Sequence, residues 1–194
     1  MQIAQRLYQG IDIEGDTVGL ITYMRTDGTN ISNDAVKNFR NYIIKNFGEN
    51  YLPEIPLNYS GKKAKNAQEA HEAIRPTEIS KNPELLKKYL SSDQLKLYNL
   101  IWSRSLSSQM VPAKFDRKTI TIKSLDEKNI FRLSGSTINF DGYLKVTSAE
   151  TDDDEKILPD VEKGEIELTE CNDEQHFTQP PPRYSEASLV KKLE

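Results

Sequence analysis

Cysteine is nearly absent from this 194-residue chain, where Cys171 stands alone. A single thiol excludes an internal disulfide and a cysteine-built zinc site within the chain. It fits a reducing compartment, so the cytoplasm is the expected location. Cys171 itself reads as a packed strand residue. Long apolar runs are missing as well. No stretch approaches the roughly 20 residues that span a bilayer. The opening MQIAQRLYQG has no apolar segment behind a basic head, so no signal peptide is expected. Histidine is scarce, with only His71 and His176, which argues against a histidine-rich metal centre. There is no glycine-rich P-loop, no GxSxG and no HExxH. The acidic run Asp152-Asp153-Asp154-Glu155 reads as a solvated loop, because no phosphate-binding group stands beside it.

What is present is a polar chain with 36% hydrophobic residues, gathered into periodic segments. The length suits one ordinary domain or two small ones. The net charge of -4 hides an asymmetry. Residues 149–174 hold 12 acids and 2 lysines, whereas residues 1–148 hold 21 bases and 16 acids. If nucleic acid binds, it binds the first part and avoids the second.

The first 111 residues read as mainly helical. A helix is expected over Met1–Tyr8, ending at Gly10, then a loop over Ile11–Thr17. Val18–Met24 is apolar and β-leaning, a short buried strand or extended segment. Ser32 can cap a helix with Val36, Phe39, Ile43 and Phe47 on one face, closed by Gly48. Short helices are expected over Asn66–Arg75 and Pro83–Leu90. Ser91 with Gln94 resembles a capping box for a longer helix to about Met110, with Leu95, Tyr98, Ile101, Trp102 and Leu106 inward. After Pro112 the pattern turns to strands, expected over Thr119–Lys123, Ile130–Ser134, Thr137–Phe140, Tyr143–Thr147 and Glu165–Glu170. Turns are expected at Gly135 and Asp141-Gly142. Pro180–Pro182 make a stiff link, and Ser185 opens a final helix. The fold class is therefore α+β, a helical domain followed by an antiparallel β-rich segment.

Two segments carry chemistry. In GLITYMRTDGTNIS, Gly19–Ser32, an extended backbone puts Tyr23 and Arg25 on one side and Thr22 and Met24 on the other. A phenol with an ordinary pKa of about 10 is a weak nucleophile. A guanidinium beside it favours the phenolate and can hold a phosphate oxygen as charge develops. Asp27 would orient Arg25 or stabilise the turn. The plainer alternative is an ordinary tyrosine and arginine at a strand end. In AQEAHEAIRPT, Ala67–Thr77, a helix would place His71 and Arg75 on one face as a phosphate clamp. The plainer alternative there is a solvated helix with a Glu72–Arg75 ion pair. Lys62, Lys63 and Lys65, just upstream, tilt that segment towards DNA backbone contact.

The two motifs occur together, in this order and at this spacing, with LYNLIWSRSLSSQM, STINFDGYLKV and QPPPRYSEASLVKKLE following. This closely resembles the bacterial type IA DNA topoisomerases, over essentially the whole chain. The resemblance implies that Tyr23 attacks a phosphodiester of single-stranded DNA, leaving a 5′-phosphotyrosyl bond and a free 3′-hydroxyl. A second strand passes, the break reseals, negative supercoils relax, and no ATP is used. It implies that Arg25 assists the tyrosine and phosphate, and that His71 and Arg75 lie near the DNA. Family members carry Ser or Gly where Gly28 stands. Residues 1–111 correspond to a winged-helix-like domain III. Residues 112–177 correspond to the β-rich second half of domain II, and 178–194 to the start of domain IV. The Mg²⁺ site belongs to a Toprim domain that the resemblance places outside this sequence, so no metal is expected here. Relaxation by this piece alone is not expected, and an exposed sheet edge invites dimerisation. Two other readings stay open: a non-catalytic winged-helix nucleic-acid-binding module, and an interaction domain with no role on DNA.

Overall fold

The computed structural model describes residues 1–26, 28–59, 71–147, 157–167, 169–170 and 172–193. Asp27, Lys62, Lys63, Lys65, Cys171 and the Asp152–Glu155 run fall outside them. The chain divides into two units, Met1–Leu158 and Pro159–Glu194.

The first unit is built on a helical core. Helix α1 (Gln2–Gln9) buries Leu7. Residues Ile11–Thr17, expected as a loop, instead belong to a hairpin. Strand β1 (Ile11–Ile13) pairs antiparallel with β2 (Asp16–Val18). Glu14 and Gly15 both take positive φ, 57° and 97°, the backbone of a tight two-residue hairpin turn. Polar composition hid this element. Helix α2 (Asn33–Phe47) starts where expected. The Ser32 hydroxyl accepts from the Ala35 N–H, and Ala35, Phe39 and Ile43 are buried.

Helix α3 (Pro83–Leu86) is shorter than expected, and its cap is Asn82, whose side chain accepts from the Leu85 N–H. Helix α4 (Ser92–Ser107) carries the full capping box of Ser91 and Gln94. Tyr98, Trp102 and Leu106 face the core, with Leu95 and Ile101 packed against it. Each large apolar side chain so buried contributes about 1.5–3 kcal/mol. The polar tips are satisfied: Tyr98 Oη donates to the Lys81 carbonyl at 2.6 Å and Trp102 Nε1 to the Ile79 carbonyl at 3.0 Å.

The β-rich part is one long hairpin. Strand β3 (Lys114–Lys123) pairs antiparallel with β4 (Ile130–Phe140). The turn expected at Gly135 does not exist, because Gly135 continues β4 opposite Lys118. A lone glycine flanked by serines reads as punctuation, but the antiparallel ladder runs straight through it. Tyr143, expected in a strand, lies in a 3-10 turn, Gly142–Lys145. Each strand has one edge without a partner strand among the described residues. The base of the hairpin is anchored. Tyr51 stacks on Phe140 with centroids 4.9 Å apart, its hydroxyl donates to Asp141 at 2.7 Å, and the Val111 N–H donates to the Tyr51 carbonyl.

In the second unit, Glu165–Glu167, Thr169 and Glu170 form no strand. Helix α5 (Glu186–Leu193) follows Ser185, whose hydroxyl accepts from the Ser188 N–H. Among the described residues, no helix is long and apolar enough to cross a membrane.

Candidate active site

The Gly19–Arg25 segment leaves β2 and runs extended across the helical core. Leu20 and Ile21 are almost fully buried, and Met24 is buried too. These side chains fix the strap to the core, and backbone hydrogen bonds fix its direction. The Leu20 N–H donates to the Leu7 carbonyl, the Thr77 N–H to the Leu20 carbonyl and the Thr22 N–H to the Arg75 carbonyl. Ile21 and Pro76 form an antiparallel bridge. Thr22 adds a second stitch. Its hydroxyl donates to the Ala73 carbonyl at 2.8 Å and accepts from the Arg75 N–H at 2.9 Å.

With Thr22 and Met24 turned inward, Tyr23 and Arg25 face out, as alternation requires. The Tyr23 ring is 45% exposed. It contacts two rings, Tyr8 on α1 at 5.4 Å in an edge-on contact and His71 at 5.2 Å in a tilted one. Arg25 Nη1 is 3.3 Å from His71 Nε2. A guanidinium carries donors only, so in this contact Nε2 accepts. A phenol, a guanidinium and an imidazole thus meet at one exposed edge, drawn from segments 46 residues apart.

Gly28 explains how His71 reaches this position. A Cβ built on Gly28 would lie 2.3 Å from the His71 carbonyl oxygen, so the turn after Arg25 packs directly on the His71 backbone. The Ala73 N–H, donating to the Asn30 carbonyl at 2.8 Å, locks the same contact. A serine at this position, which the resemblance led us to regard as interchangeable with glycine, would need that backbone to shift.

One expectation requires correction. His71–Arg75 is not helical, so His71 and Arg75 do not share a helix face. Pro76 disfavours helical backbone at Arg75, and the segment hydrogen-bonds to the strap instead. His71 turns to Tyr23 and Arg25. The Arg75 guanidinium is only 14% exposed and grips Glu72 at 2.6 Å and the Pro76 carbonyl at 3.0 Å. The Glu72–Arg75 ion pair of the plainer reading is present without its helix. Arg75 therefore braces the segment that holds His71. Alternation turns Thr22 inward but does not show its hydrogen bonds to Ala73 and Arg75, and nothing in the sequence joins Tyr8 to a residue 15 positions later.

Comparison with known proteins shows the family. A family model described as DNA topoisomerase matches residues 1–194. The chain is 51% identical to the DNA topoisomerase 1 of Rickettsia felis, covering 100% of this chain and 26% of that protein. It is 47% identical to the DNA topoisomerase 1 of Campylobacter jejuni, covering 100% of this chain and 27% of that protein. The solved structure of full-length topoisomerase I from Thermotoga maritima superposes with a TM-score of 0.75 at 36% identity, covering 100% of this chain and 30% of that one. The chain spans about a quarter of the length of the curated relatives it matches. On the match over every residue, the identity and the shared fold, this chain belongs to the bacterial type IA DNA topoisomerase family.

Proposed function

We propose that this chain supplies the nucleophile of a cytoplasmic, ATP-independent topoisomerase that relaxes negatively supercoiled DNA. Tyr23 Oη attacks a backbone phosphorus of a single-stranded segment. The Oη–P bond forms as the P–O3′ bond breaks, the phenol loses its proton and the departing 3′-oxygen gains one. A 5′-phosphotyrosyl ester and a 3′-hydroxyl result. One ester replaces another, so the bond energy is kept for resealing after a strand has passed. Arg25 holds a non-bridging phosphate oxygen as negative charge grows on it. His71, accepting from Arg25, fixes the guanidinium plane and covers one face of the phenol. Tyr8 meets the phenol ring edge-on.

The observation that carries this reading is the meeting of Tyr23, Arg25 and His71 at one exposed edge. The family likeness further implies a Mg²⁺ requirement. Among the described residues, no three His, Cys, Asp or Glu side chains gather as a metal site. Lys62, Lys63 and Lys65 are proposed as backbone contacts on their charge alone.

The test is covalent capture of a labelled single strand by the protein with its flanking domains restored. Wild type is expected to retain label after denaturation, at the 5′-phosphate, and Tyr23→Phe to retain none. Reversible binding by both would favour the non-catalytic nucleic-acid-binding module. Binding by neither would favour an interaction domain. The 194-residue chain alone is expected not to relax supercoiled DNA with Mg²⁺, and relaxation by it would overturn that part of the reading.

A further inference from the structure

Beyond Arg25 the chain turns through Thr29–Ile31 into α2, and there it borders a cavity of about 460 Å³. This is within the roughly 300–1,000 Å³ range of small-ligand sites. One wall is α2, with Lys37 and Arg40 three residues apart on a shared face. The opposite wall is Pro56–Tyr59. No carboxylate is among the described lining residues, so the cavity carries two positive charges and no negative one.

The walls are pinned before any ligand arrives. The Thr29 hydroxyl donates to the Tyr59 carbonyl at 2.9 Å, and the Tyr59 hydroxyl to the Ser108 carbonyl at 2.8 Å. Gln109 Nε2 donates to the Leu57 carbonyl at 2.9 Å. Arg40 donates to the carbonyls of Pro53 and Glu54 at 2.9 and 3.3 Å, which holds its guanidinium against the wall. Lys37 meets Asp34 only at 3.8 Å, with both side chains mostly exposed. That pairing is weak and easily exchanged for a phosphate.

The remaining lining has a second chemistry. Asn30, Asn33 and Asn58 also line the cavity, a residue type whose amide donates and accepts, beside Val36, Leu57 and Tyr59. Cations alone would suit any anion. Cations beside amides and an apolar wall suit a phosphate joined to a flat, polar-edged ring.

We propose that this cavity is a subsite for one nucleotide unit, with its phosphate on Lys37 and Arg40 and its base among the asparagine amides. It deepens the reading given above and rests on it, because the Thr29–Ile31 rim continues directly from the Tyr23 strap. The unit is either one residue of a bound strand or a free mononucleotide, and the two are separable.

The ¹⁵N-labelled chain is titrated with thymidine 5′-monophosphate, a short oligothymidylate and inorganic phosphate. Saturable shifts are expected at the amides of Thr29–Ile31 and Leu57–Tyr59 with both nucleotide ligands. Tighter binding of the oligonucleotide assigns the site to a strand, and equal binding assigns it to the free nucleotide. Lys37→Glu, an exposed change that leaves the core untouched, is expected to weaken both by about tenfold, the loss of one charge-assisted contact. Asn33→Ala is expected to weaken nucleotide binding while sparing phosphate. The proposal is overturned if inorganic phosphate binds at the same amides as tightly as the nucleotides. It is equally overturned if the shifts fall elsewhere, or if Lys37→Glu changes nothing. None of these measurements needs the phenol. Failure here with covalent capture intact would sink the subsite alone, and the reverse would sink the catalytic reading alone.

Discussion

The helical part and the long β3–β4 hairpin are held together by opposite means. In the helical part, side chains from α1, the strap, α2, α3 and α4 converge on one core, with Leu7, Ile43, Tyr98 and Leu106 at 0% exposure. In the hairpin, Phe131 is 65% and Leu133 52% exposed, so its apolar residues stabilise little. An isolated two-stranded hairpin is marginal in water. This one depends on its base, where Phe140, Tyr51 and Asp141 tie it to the helical part. The candidate site sits on the well-packed side of this contrast, where the proposed nucleophile would be held in place.

Three substitutions test the contrast. Leu106→Ala removes a fully buried side chain and is expected to cost about 2–5 kcal/mol in denaturant unfolding. A cost near zero would mean that the core is not continuous. Tyr51→Phe removes the hydrogen bond at the hairpin base and, at this partly exposed position, is expected to cost at most about 1 kcal/mol. That cost depends on pH. The Tyr51 hydroxyl first, and then Lys145, hold the Asp141 carboxyl below its ordinary range. The contribution is therefore complete above about pH 4 and fades as pH falls through the lowered folded value. The hydrogen bond to Asp141, followed by burial, raises the Tyr51 phenol. Its contribution is complete below about pH 10 and fades as pH rises through the raised folded value. Melting of wild type and variant across pH should show the gap narrowing at both ends, and a constant gap would refute this. Phe131→Ala, out on the hairpin, is expected to change stability by no more than about 0.5 kcal/mol. A larger loss in the same melts would mean that the exposed face packs against something.

Legibility in the sequence followed the same division. Helices α2 and α4 were readable because a cap and a 3.6-residue apolar period agreed over four turns. The Ser91–Gln94 box and the Ser32 cap appear as expected. Where local signals are weak, tertiary pairing decided the outcome. Ile11–Thr17 reads as polar loop yet folds into a hairpin through its turn, and Gly135 reads as a break yet stays in β4. At the site, alternation along the strap placed Tyr23 and Arg25 correctly. The contact of His71 with Arg25 is not legible in the sequence, which pairs His71 with Arg75 on a helix face and gives Arg25 to Asp27. The hydrogen bonds that hold His71–Arg75 extended come from Thr22 and Asn30, and a periodicity argument sees neither. The expected roles of Lys62, Lys63, Lys65 and Asp27 fall outside the described residues.

The double stitch of Thr22 has a mechanical meaning. On the proposed chemistry, a broken DNA strand hangs from Tyr23 by one covalent bond while another strand passes. Any tension on that strand enters the protein at the residue beside Thr22. There it divides at once, towards α1 through Leu20 and Leu7 and into the His71–Thr77 segment through Ala73, Arg75 and Thr77. The phenol, Arg25 and His71 therefore travel as one block when the strand pulls, and the groups needed for resealing stay in register with the end they must return.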